Sequence, residues 1–362
     1  MKKIGLISPN NLDLKDGGSI YLKSLLTSRN LSVTSCICQS PITGVFIKGV
    51  EIEGLNRTRS RDIFSRVLFT PSWLYTYLFV ILSWSKRFDV LLIHNSRLIG
   101  LGFIIKMLYG CDVRLIRDNK EVELSISLWK ENIFNIARFL DIFLLVLYEN
   151  ILTRFLSGYY AITKNESNLE NCLLLGLEPL LYVASEDSLA WDDYHALGFL
   201  GNMDFYPNKL CIGDILDLAY YAKEYRFIVA GRATGNKNWR EQSNVEFRYN
   251  LTNGERLEFY NSVGIVLILM RSGSGQKIKV AEAIYFKRII IATKHSMEGY
   301  NALELPSVYL LEDDYSITDL VQAIDDIIST PKKKLLVNID KSWNYANSRY
   351  FVSYEKSSDS YL

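Results

Sequence analysis

The chain has 362 residues, 49% of them hydrophobic, seven prolines and a formal net charge of only +1. This length and composition exclude general disorder and suit two domains of roughly 150 to 200 residues each. The balanced charge excludes nucleic-acid binding driven by bulk electrostatics, and five cysteines without zinc-finger spacing predict reduced thiols of a cytoplasmic protein.

Short runs rich in Val, Ile and Leu alternate with helical patterns along the whole chain. This alternation predicts parallel sheets covered by helices on both faces. In the first half, the predicted strands are residues 3–8, 32–38, 89–94, 113–117 and 159–163. In the second half, they are residues 196–201, 226–231, 245–249, 264–270, 288–293 and 308–311. Two such sets in succession predict an α/β protein with two doubly wound domains.

A double glycine follows the first predicted strand. Gly17 and Gly18 provide flexible backbone with free N–H groups, which suits a close approach to a substrate. The same two residues also fit an ordinary turn between a strand and a helix. Further along, the strand that begins near 88 ends at His94, which either faces a substrate or is a hydrogen-bonded structural histidine.

Residues 67–85 raise the question of a membrane. They are nineteen consecutive residues without a charge, close to the roughly 20 that span a bilayer. Pro71 and several hydroxyl-bearing side chains weaken a spanning helix. Three interpretations stay open: a spanning helix, a buried helix, and a face rich in Trp and Tyr that rests on the membrane surface.

The seam between the two domains is predicted near residues 184–193, which are polar, acidic and without periodicity. The first domain is then residues 1–185 and the second is residues 186–340, followed by a tail over residues 341–362. In such a fold, ligands bind beyond the carboxyl ends of the strands.

The most informative stretch is residues 271–283, with the sequence Arg-Ser-Gly-Ser-Gly-Gln-Lys-Ile-Lys-Val-Ala-Glu-Ala. A strand leads into this glycine-rich turn and a helix follows, so free N–H groups and the positive end of a helix dipole meet at one place. This geometry predicts a phosphate site. Lys279 and Glu282 project from neighbouring positions of the helix; a solvated lysine and an exposed helix glutamate are the alternatives.

Four stretches of the second half resemble, in order, the donor domain of retaining glycosyltransferases of the GT-B fold, specifically glycosyltransferase family 4, also called group 1. They are residues 197–208, 225–232, 269–283 and 290–299. The resemblance implies two Rossmann-like domains that face each other across a cleft, the first for the acceptor and the second for the donor. It also implies that the tail over residues 341–362 returns to the first domain.

The resemblance implies the site residues as well. Lys279 and the loop amides would stabilise charge on a leaving diphosphate, and Glu282 would accept hydrogen bonds from ribose. The catalytic candidates are His94, Asp118 and Asn119, although a surface loop also explains the last two. The donor-binding candidates are Gly17, Gly18, Asn202, Arg232, Arg271, Ser272, Gly273, Ser274, Gly275, Lys279, Glu282 and Glu298.

The chain departs from the family pattern at two positions. Relatives carry a histidine beside the reacting sugar in the segment that matches residues 117–121, and here that histidine is missing. Many relatives also carry two glutamates eight residues apart. Glu282 matches the second of these, whereas Ser274 occupies the position of the first. The second departure removes a candidate carboxylate from the reaction centre.

The resemblance predicts transfer of a sugar from a nucleotide-diphosphate sugar to a saccharide or lipid-linked oligosaccharide, with retention of configuration, in cell-surface polysaccharide biosynthesis. The enzyme would be cytoplasmic, with peripheral contact at the inner face of the cell membrane if the surface interpretation of residues 67–85 holds. No Asp-x-Asp motif stands at a convincing strand end, so neither a metal nor another cofactor is expected. The alternatives are a sugar-nucleotide epimerase of the same architecture and a non-catalytic nucleotide-sugar binding partner of a membrane assembly complex.

Overall fold

The computed structural model describes residues 2–12, 17–27, 31–47, 49–67, 72–117, 121–130, 136–161, 172–174, 195–234, 239–273 and 276–349. The chain divides into two compact units: Met1–Leu177 with Gly273–Gly275, and Glu178–Ser272 with Gln276–Leu362. This division and the predicted boundary after residue 185 both fall within residues 175–194, outside the described residues.

The described part of the first unit forms one eight-stranded sheet. Its strands are β1 (Ile4–Asn11), β2 (Ser35–Gln39), β3 (Val45–Ile47), β4 (Val50–Leu55), β5 (Val90–His94), β6 (Asp112–Arg117), β7 (Gly158–Ala161) and β8 (Cys172–Leu174). Their order is β3-β4-β2-β1-β5-β6-β7-β8, and the pairing is parallel except between β3 and β4. The chain therefore builds the sheet outward in both directions from the β1–β5 pair, which is its topological switch point.

Helices cover both faces of this first sheet. They are α1 (Gly17–Thr27), α2 (Arg59–Val67), α3 (Leu78–Ser85), α4 (Ile99–Tyr109), α5 (Glu121–Lys130) and α6 (Ile136–Asn150), with 3₁₀ helices at Trp73–Tyr77, Ser96–Leu98 and Leu152–Phe155. Leu22 of α1 packs in the core on one face, with Leu6 of β1. Ile81 of α3 and Ile105 of α4 pack in the core on the other face. The strands between are buried on both sides, as a parallel sheet requires.

The second unit has a six-stranded parallel sheet. Its strands are β9 (Ala196–Leu200), β10 (Arg226–Gly231), β11 (Val245–Tyr249), β12 (Ile265–Ile268), β13 (Ile289–Thr293) and β14 (Val308–Leu311). The order β11-β10-β9-β12-β13-β14 is the doubly wound order of dinucleotide-binding folds, with its switch point between β9 and β12.

The helices of the second unit begin where local sequence signals place them. They are α7 (Tyr206–Tyr221), α8 (Asn253–Asn261), α9 (Ile278–Tyr285), α10 (Ile317–Ser329) and α11 (Lys332–Arg349), with 3₁₀ helices at His295–Met297 and Ala302–Glu304. A proline stands in the first turn of α7. Thr252 with Glu255 and Ser316 with Asp319 form capping boxes that satisfy the first N–H groups of α8 and α10.

The uncharged stretch at residues 67–85 contains two short helices in its described part, the 3₁₀ helix at Trp73–Tyr77 and the eight-residue α3. Trp73, Ile81 and Trp84 are buried against the first sheet, whereas Phe79 is 86% exposed. Among the residues that the structure describes, no helix has the length and apolar character needed to cross a membrane. The stretch combines a buried side with an exposed aromatic residue.

The predicted α/β class with two doubly wound parallel sheets is confirmed, and each predicted strand has a counterpart. Strands β3, β4 and β8 were not predicted. The predicted limit at residue 340 does not coincide with a break, because α11 runs continuously through it. Trp343 and Ala346 of that helix pack in the core of the second unit, and residues 350–362 lie outside the described residues.

Candidate active site

The second unit brings several predicted site residues to its switch point. The segment after β9 contains Gly201 and Asn202, and the segment after β12 runs to the start of α9 at Ile278. Because β9 and β12 are parallel neighbours, their carboxyl ends lie at the same edge of the sheet. The connections from these two strands run in opposite directions, which leaves their ends accessible to a ligand.

Lys279 is the central charged group at this edge. Its Nζ donates a hydrogen bond of 2.8 Å to Oδ1 of Asn208 and lies 4.6 Å from the centroid of the Phe199 ring. Asn208 is only 4% exposed and donates from Nδ2 to the carbonyl of Asn202 at 2.8 Å, so its orientation is held from both ends. Burial lowers the pKa of Lys279 to about 8, against the opposing influence of Cys211 and Glu282.

Lys279 has no ion-pair partner among the residues that the structure describes. Its one hydrogen-bond partner is the neutral amide of Asn208. A partly desolvated ammonium group with a neutral partner keeps most of its capacity to bind an anion. The predicted alternative of a fully solvated lysine does not match this geometry.

Two glycines allow the segment after β9 to lie this close. A Cβ atom at Gly201 would stand 3.2 Å from Nζ of Lys279 and 3.0 Å from Nδ2 of Asn208. Gly231, at the end of β10, has φ +144°, and a Cβ there would lie 1.7 Å from the carbonyl oxygen of Gly201. A side chain is excluded at Gly231 and would crowd Asn208 and Lys279 at Gly201, so backbone lines this side of Lys279.

Hydrogen bonds from Ser296 support the segment after β12, and the same segment contains the buried hydroxyl of Ser272. The Oγ of Ser296 accepts a hydrogen bond of 3.0 Å from the N–H of Met270, two residues after β12. It also lies 2.7 Å from the hydroxyl of Thr293. Further along, the Oγ of Ser272 is buried and has no hydrogen-bond partner among the described residues, and Gly273 has φ +91°. The left-handed backbone at Gly273 turns the chain sharply ahead of α9.

Glu282, one turn after Lys279, is directed into a buried ion pair. Its carboxylate is 3% exposed and accepts from Arg256 at 2.7 Å and from the hydroxyl of Tyr260 at 3.0 Å. Burial and the nearby carboxylate raise the pKa of Tyr260 well above its usual value, so this phenol stays protonated and donates. An exposed helix glutamate is therefore excluded. The predicted contact of Glu282 with a ribose stays a prediction.

The two arginines among the predicted site residues have surroundings that differ from those of Lys279. Arg271 donates to the carbonyl of Asp313 at 3.1 Å, lies 3.1 Å from the carboxylate of Asp214 and stacks 4.2 Å from the ring centroid of Tyr315. Its guanidinium is thus tied to β14, α7 and the start of α10. Arg232 has an exposed side chain, and its carbonyl accepts from Met203 N at 2.8 Å.

The 3₁₀ helix at His295–Met297 is followed by Glu298 and Gly299. Glu298 Oε2 lies 4.0 Å from Nζ of Lys277, a lysine that is only 6% exposed and was not among the predicted residues. The hydroxyl of Tyr300 donates to the carbonyl of Lys277 at 3.0 Å. These contacts join the segment after β13 to the turn ahead of α9, and the predicted role of Glu298 at the donor stays a prediction.

In the first unit, the switch point lies between β1 and β5. α1 begins at Gly17, so the two glycines form its first turn. His94, the last residue of β5, is fully buried; its Nδ1 lies 2.8 Å from the hydroxyl of Ser8 in β1, and its ring centroid lies 4.9 Å from that of Tyr21. This is the hydrogen-bonded histidine of the second interpretation, and a catalytic role for it stays a prediction.

A polar cluster beside His94 was missed from the sequence. Arg97 donates to Glu121 at 3.0 Å and, through two nitrogens, to Asp141 at 2.7 and 3.0 Å. Asn95 donates to Glu121 at 2.7 Å and accepts from Arg97 N at 3.0 Å, although its own φ of +89° is strained for a non-glycine residue. Burial works against the charge of Arg97, but Glu121 and Asp141 outweigh it and raise the pKa of the guanidinium.

The remaining predicted residues, Asp118, Asn119, Ser274 and Gly275, lie outside the described residues. Their neighbours are described. Arg117, at the end of β6, donates to Glu149 of α6 at 2.7 Å, and Glu121 begins α5 inside the cluster around Arg97. Both ends of the 118–120 segment are therefore held by buried or half-buried ion pairs.

The chain is similar over nearly its whole length to solved structures of sugar-transferring enzymes. Sucrose-phosphate synthase from Thermosynechococcus elongatus gives a TM-score of 0.72 at 10% identity, covering 97% of this chain and 95% of that one. HepE from Anabaena, in complex with UDP-glucose, gives 0.67 at 12% identity over 97% and 96%. The catalytic domain of starch synthase IV from Arabidopsis thaliana, bound to ADP and acarbose, gives 0.63 at 9% identity over 94% and 95%.

These similarities establish the GT-B fold for this chain, with its two Rossmann-like units. The fold class predicted from the sequence is thereby confirmed. A comparison with protein-family models gives no match, and neither does a search among curated proteins.

Proposed function

We propose that this protein is a retaining glycosyltransferase of the family 4 type that moves a sugar from a nucleotide-diphosphate sugar to a saccharide or lipid-linked oligosaccharide. One observation carries the proposal: Lys279, in the first turn of α9, is held by Asn208 beside the backbone of Gly201 at the switch point of the second sheet. A cation, a helix N-terminus and a glycine-lined wall together form a diphosphate site.

The structural neighbours support this assignment. They include a complex with UDP-glucose, which is a nucleotide sugar, and a complex with ADP, which is a nucleoside diphosphate. The proposed site on this chain suits the same chemistry, because a diphosphate needs a cation and several N–H donors rather than any particular base.

In the proposed reaction, the leaving nucleoside diphosphate gains negative charge as the sugar departs. Lys279 and the N–H groups at the start of α9 stabilise that charge, and the unpaired Ser272 hydroxyl adds one more donor. Same-face attack by the acceptor hydroxyl then retains the configuration at the sugar carbon, with the departing phosphate taking the proton. A lysine that supplies the positive charge makes a metal unnecessary in this scheme.

Glu282 would accept a hydrogen bond from the ribose at the lone-pair position that Arg256 and Tyr260 do not use. A carboxylate has about four lone-pair positions, and three are used by Arg256 and Tyr260. In this role, Arg256 compensates the charge of the carboxylate, which is only 3% exposed, and fixes its orientation through a hydrogen bond of 2.7 Å.

The cellular role proposed for this activity is cell-surface polysaccharide biosynthesis at the inner face of the cell membrane. The supporting observation is the exposed aromatic character of the first unit, with Phe79 at 86% exposure on a short helix that packs in the core through Ile81 and Trp84. A lipid-linked acceptor would be presented at that surface.

The test is a donor panel. Purified protein is titrated calorimetrically with UDP-, GDP-, TDP- and CMP-sugars, and the tightest donor is then incubated with membrane lipid extract while nucleotide release and labelled lipid are followed. Label that moves into lipid supports transfer. A donor altered without acceptor identifies the epimerase, and binding without turnover identifies the non-catalytic partner.

Lys279→Met provides the site-specific control of this experiment. We expect it to weaken donor binding by about 10- to 100-fold, the equivalent of one charged hydrogen bond of roughly 1.5–3 kcal/mol. Lys223→Met is the matched control, because Lys223 is exposed and its ammonium group donates to Gln242. Equal donor affinity in the wild type and in Lys279→Met would place the donor elsewhere.

A further inference from the structure

One face of the first unit has an unusual outer surface. α3, α4 and the 3₁₀ helix at Leu152–Phe155 pack on the same side of the first sheet, through the core that contains Ile81, Ile105 and Leu156. α6 joins this side through Tyr148, and α2 contacts the 3₁₀ helix at Trp73–Tyr77. We call the solvent-facing side of these five elements the outer helical layer.

The outer helical layer exposes large hydrophobic side chains on every one of its elements. Phe79 is 86% exposed, Met107 70% and Phe143 61%. The full set among the described residues is Ile63, Phe79, Val80, Met107, Leu108, Phe139, Phe143, Val146, Ile151 and Phe155. Single exposed hydrophobic residues are normal on a protein surface, whereas so many on one layer indicate an interaction surface.

α6 differs most clearly from an ordinary surface helix in which side chains it exposes. Phe139, Phe143 and Val146 are spaced by four and three residues, so they form one stripe, and all three are exposed. The acidic residues of the same helix, Asp141 and Glu149, turn inward and are neutralised by Arg97 and Arg117. A helix in water normally exposes its charges, whereas α6 pairs both of these acids and exposes this apolar stripe in addition to burying Leu145.

The exposed residues are connected rather than scattered. α6 continues helically into Ile151, whose N–H donates to the carbonyl of Leu147 at 2.9 Å. Phe155 then packs edge-on against Phe103 of α4, with 5.5 Å between ring centroids. At the far end of α4, Lys86 lies 5.5 Å from the ring centroid of Tyr109 and links this helix to the end of α3. The surface therefore extends across neighbouring helices.

The charges around this surface are basic. Between residues 56 and 88 the sequence has six basic residues and one acidic residue, although the whole chain has a net charge of only +1. The single acid, Asp62, pairs with Arg57 at 2.9 Å. Arg59, Lys86, Arg87 and Arg154 are exposed. With Asp141 and Glu149 neutralised internally, the outer helical layer presents positive charge around aromatic side chains.

We propose that the outer helical layer is a docking surface for an anionic lipid bilayer. The phenylalanines would enter the boundary between head groups and acyl chains, and the arginines and lysines would contact lipid phosphates. This deepens the proposed function, on which it rests for the lipid-linked acceptor. A second copy of the chain fits less well, because a two-fold interface would bring the same basic rim against itself.

The apolar half of the proposal is tested with the double variant Phe79→Ser/Phe143→Ser. Wild-type protein is mixed with vesicles of phosphatidylcholine, with or without phosphatidylglycerol, and the bound fraction is measured by co-sedimentation. We expect the double variant to bind the anionic vesicles at least about tenfold more weakly than the wild type, because two rings no longer leave water. The matched control is Phe46→Ser/Leu303→Ser, two residues 66% and 94% exposed that lie outside the layer.

The electrostatic half is tested with Lys86→Gln/Arg87→Gln and with salt. We expect this variant to lose about fivefold or more in affinity for anionic vesicles, to bind neutral vesicles as the wild type does, and to respond less to added salt. Equal binding of wild type and both variants, or no preference for phosphatidylglycerol, overturns the proposal. A wild-type dimer in sedimentation velocity that the phenylalanine variant abolishes would assign the surface to a second copy and overturn it as well.

The two proposals fail separately in this design. Calorimetric donor binding needs no lipid, so Phe79→Ser/Phe143→Ser should bind the donor as the wild type does. Conversely, Lys279→Met should bind vesicles normally. A wild type that binds vesicles but no donor would overturn the proposed function and leave the docking surface in place. A wild type that binds a donor but no vesicles would overturn the docking surface and leave the proposed function in place.

Discussion

The two sheets have equivalent switch points with opposite electrostatics. In the first unit, the residues around β1 and β5 form a cluster in which Arg97 is neutralised by Glu121 and Asp141. In the second unit, Lys279 of α9, whose Nζ lies beside the end of β9, has a neutral amide as its hydrogen-bond partner, while the nearby Glu282 is neutralised by Arg256. The same topology thus supports a self-compensated cluster in one unit and an uncompensated cation in the other.

This difference separates a structural role from a binding role. Charges that satisfy each other inside a fold maintain geometry, and they have little left to offer a ligand. A partly desolvated cation without a counter-charge reduces stability, and such groups are candidates for binding an anion. We therefore expect substitution in the first-unit cluster to affect stability, and substitutions at Lys279 and Ser272 to affect ligand binding as well as stability or its pH dependence.

The largest expected effect is on the self-compensated cluster. Arg97→Ala leaves Glu121, only 5% exposed, and Asp141 without their cation. We expect a loss of about 3–5 kcal/mol in the free energy of unfolding, measured by urea denaturation. Arg226→Ala is the control, because its pair with Glu246 is 53% and 40% exposed and should contribute less than about 1 kcal/mol. Similar losses in both variants would contradict the assignment.

The next effect is the pH dependence of stability caused by Lys279. Its pKa is lowered to about 8 in the folded protein, so between this pH and its usual pKa the unfolded chain binds the extra proton. The wild type therefore gains stability as pH rises through this window. Below pH 8 Lys279 is protonated in both states, and the free-energy cost of desolvating its charge is constant. Relative to Lys279→Met, the wild type should gain about 2 kcal/mol between pH 7 and pH 10. Parallel pH profiles of the two proteins would show that Lys279 is not desolvated.

A smaller effect is expected on the pH dependence of donor binding. A diphosphate binds the protonated Lys279, so affinity should be constant below pH 8 and should fall above it. Between pH 7.5 and pH 9 we expect a decrease of about eightfold in calorimetric affinity, because the protonated fraction falls by that factor. In Lys279→Met the affinity should be weak and nearly independent of pH. A wild-type affinity that rises over this range would exclude Lys279 from the site.

The smallest effect concerns Ser272, whose hydroxyl is buried without a partner. Ser272→Ala removes an unsatisfied group, so the free energy of unfolding should stay the same or rise slightly. Donor binding should weaken by about 1 kcal/mol, the contribution of one hydrogen bond. Ser329→Ala, at an exposed serine of α10, is the control and should leave donor affinity unchanged. A clear loss of stability in Ser272→Ala without any change in affinity would give Ser272 a structural role.

The strands that were missed show where sequence patterns lose their force. β4, with the sequence Val-Glu-Ile-Glu-Gly-Leu, contains two glutamates, and β3 has only three residues with Val45 and Phe46 exposed. These strands lie at the edge of the sheet, where one side faces water and no long apolar run is needed. The central strands are buried on both faces, and their continuous apolar runs made them predictable.

The polar residues at the two switch points also include some that the sequence pointed to and some that it missed. Lys279 was singled out from the sequence because its neighbours, a glycine-rich turn and a helix start, predict a phosphate site. The cluster around Arg97 was missed because its partners Glu121 and Asp141 are 24 and 44 residues away in the chain. Pairings over such distances depend on strand order and helix packing, and no local pattern encodes them.

The amino-acid sequence by itself determined the α/β class, the central strands and the strand-turn-helix unit that holds Lys279, because these features follow from local hydrophobic periodicity and backbone preferences. Only the tertiary structure decided which charges are compensated: it placed Arg256 on Glu282, left Asn208 as the neutral partner of Lys279, and turned the acids of α6 inward and its phenylalanines outward. The physical reason is that charge compensation and burial depend on distances in space between residues that are far apart along the chain.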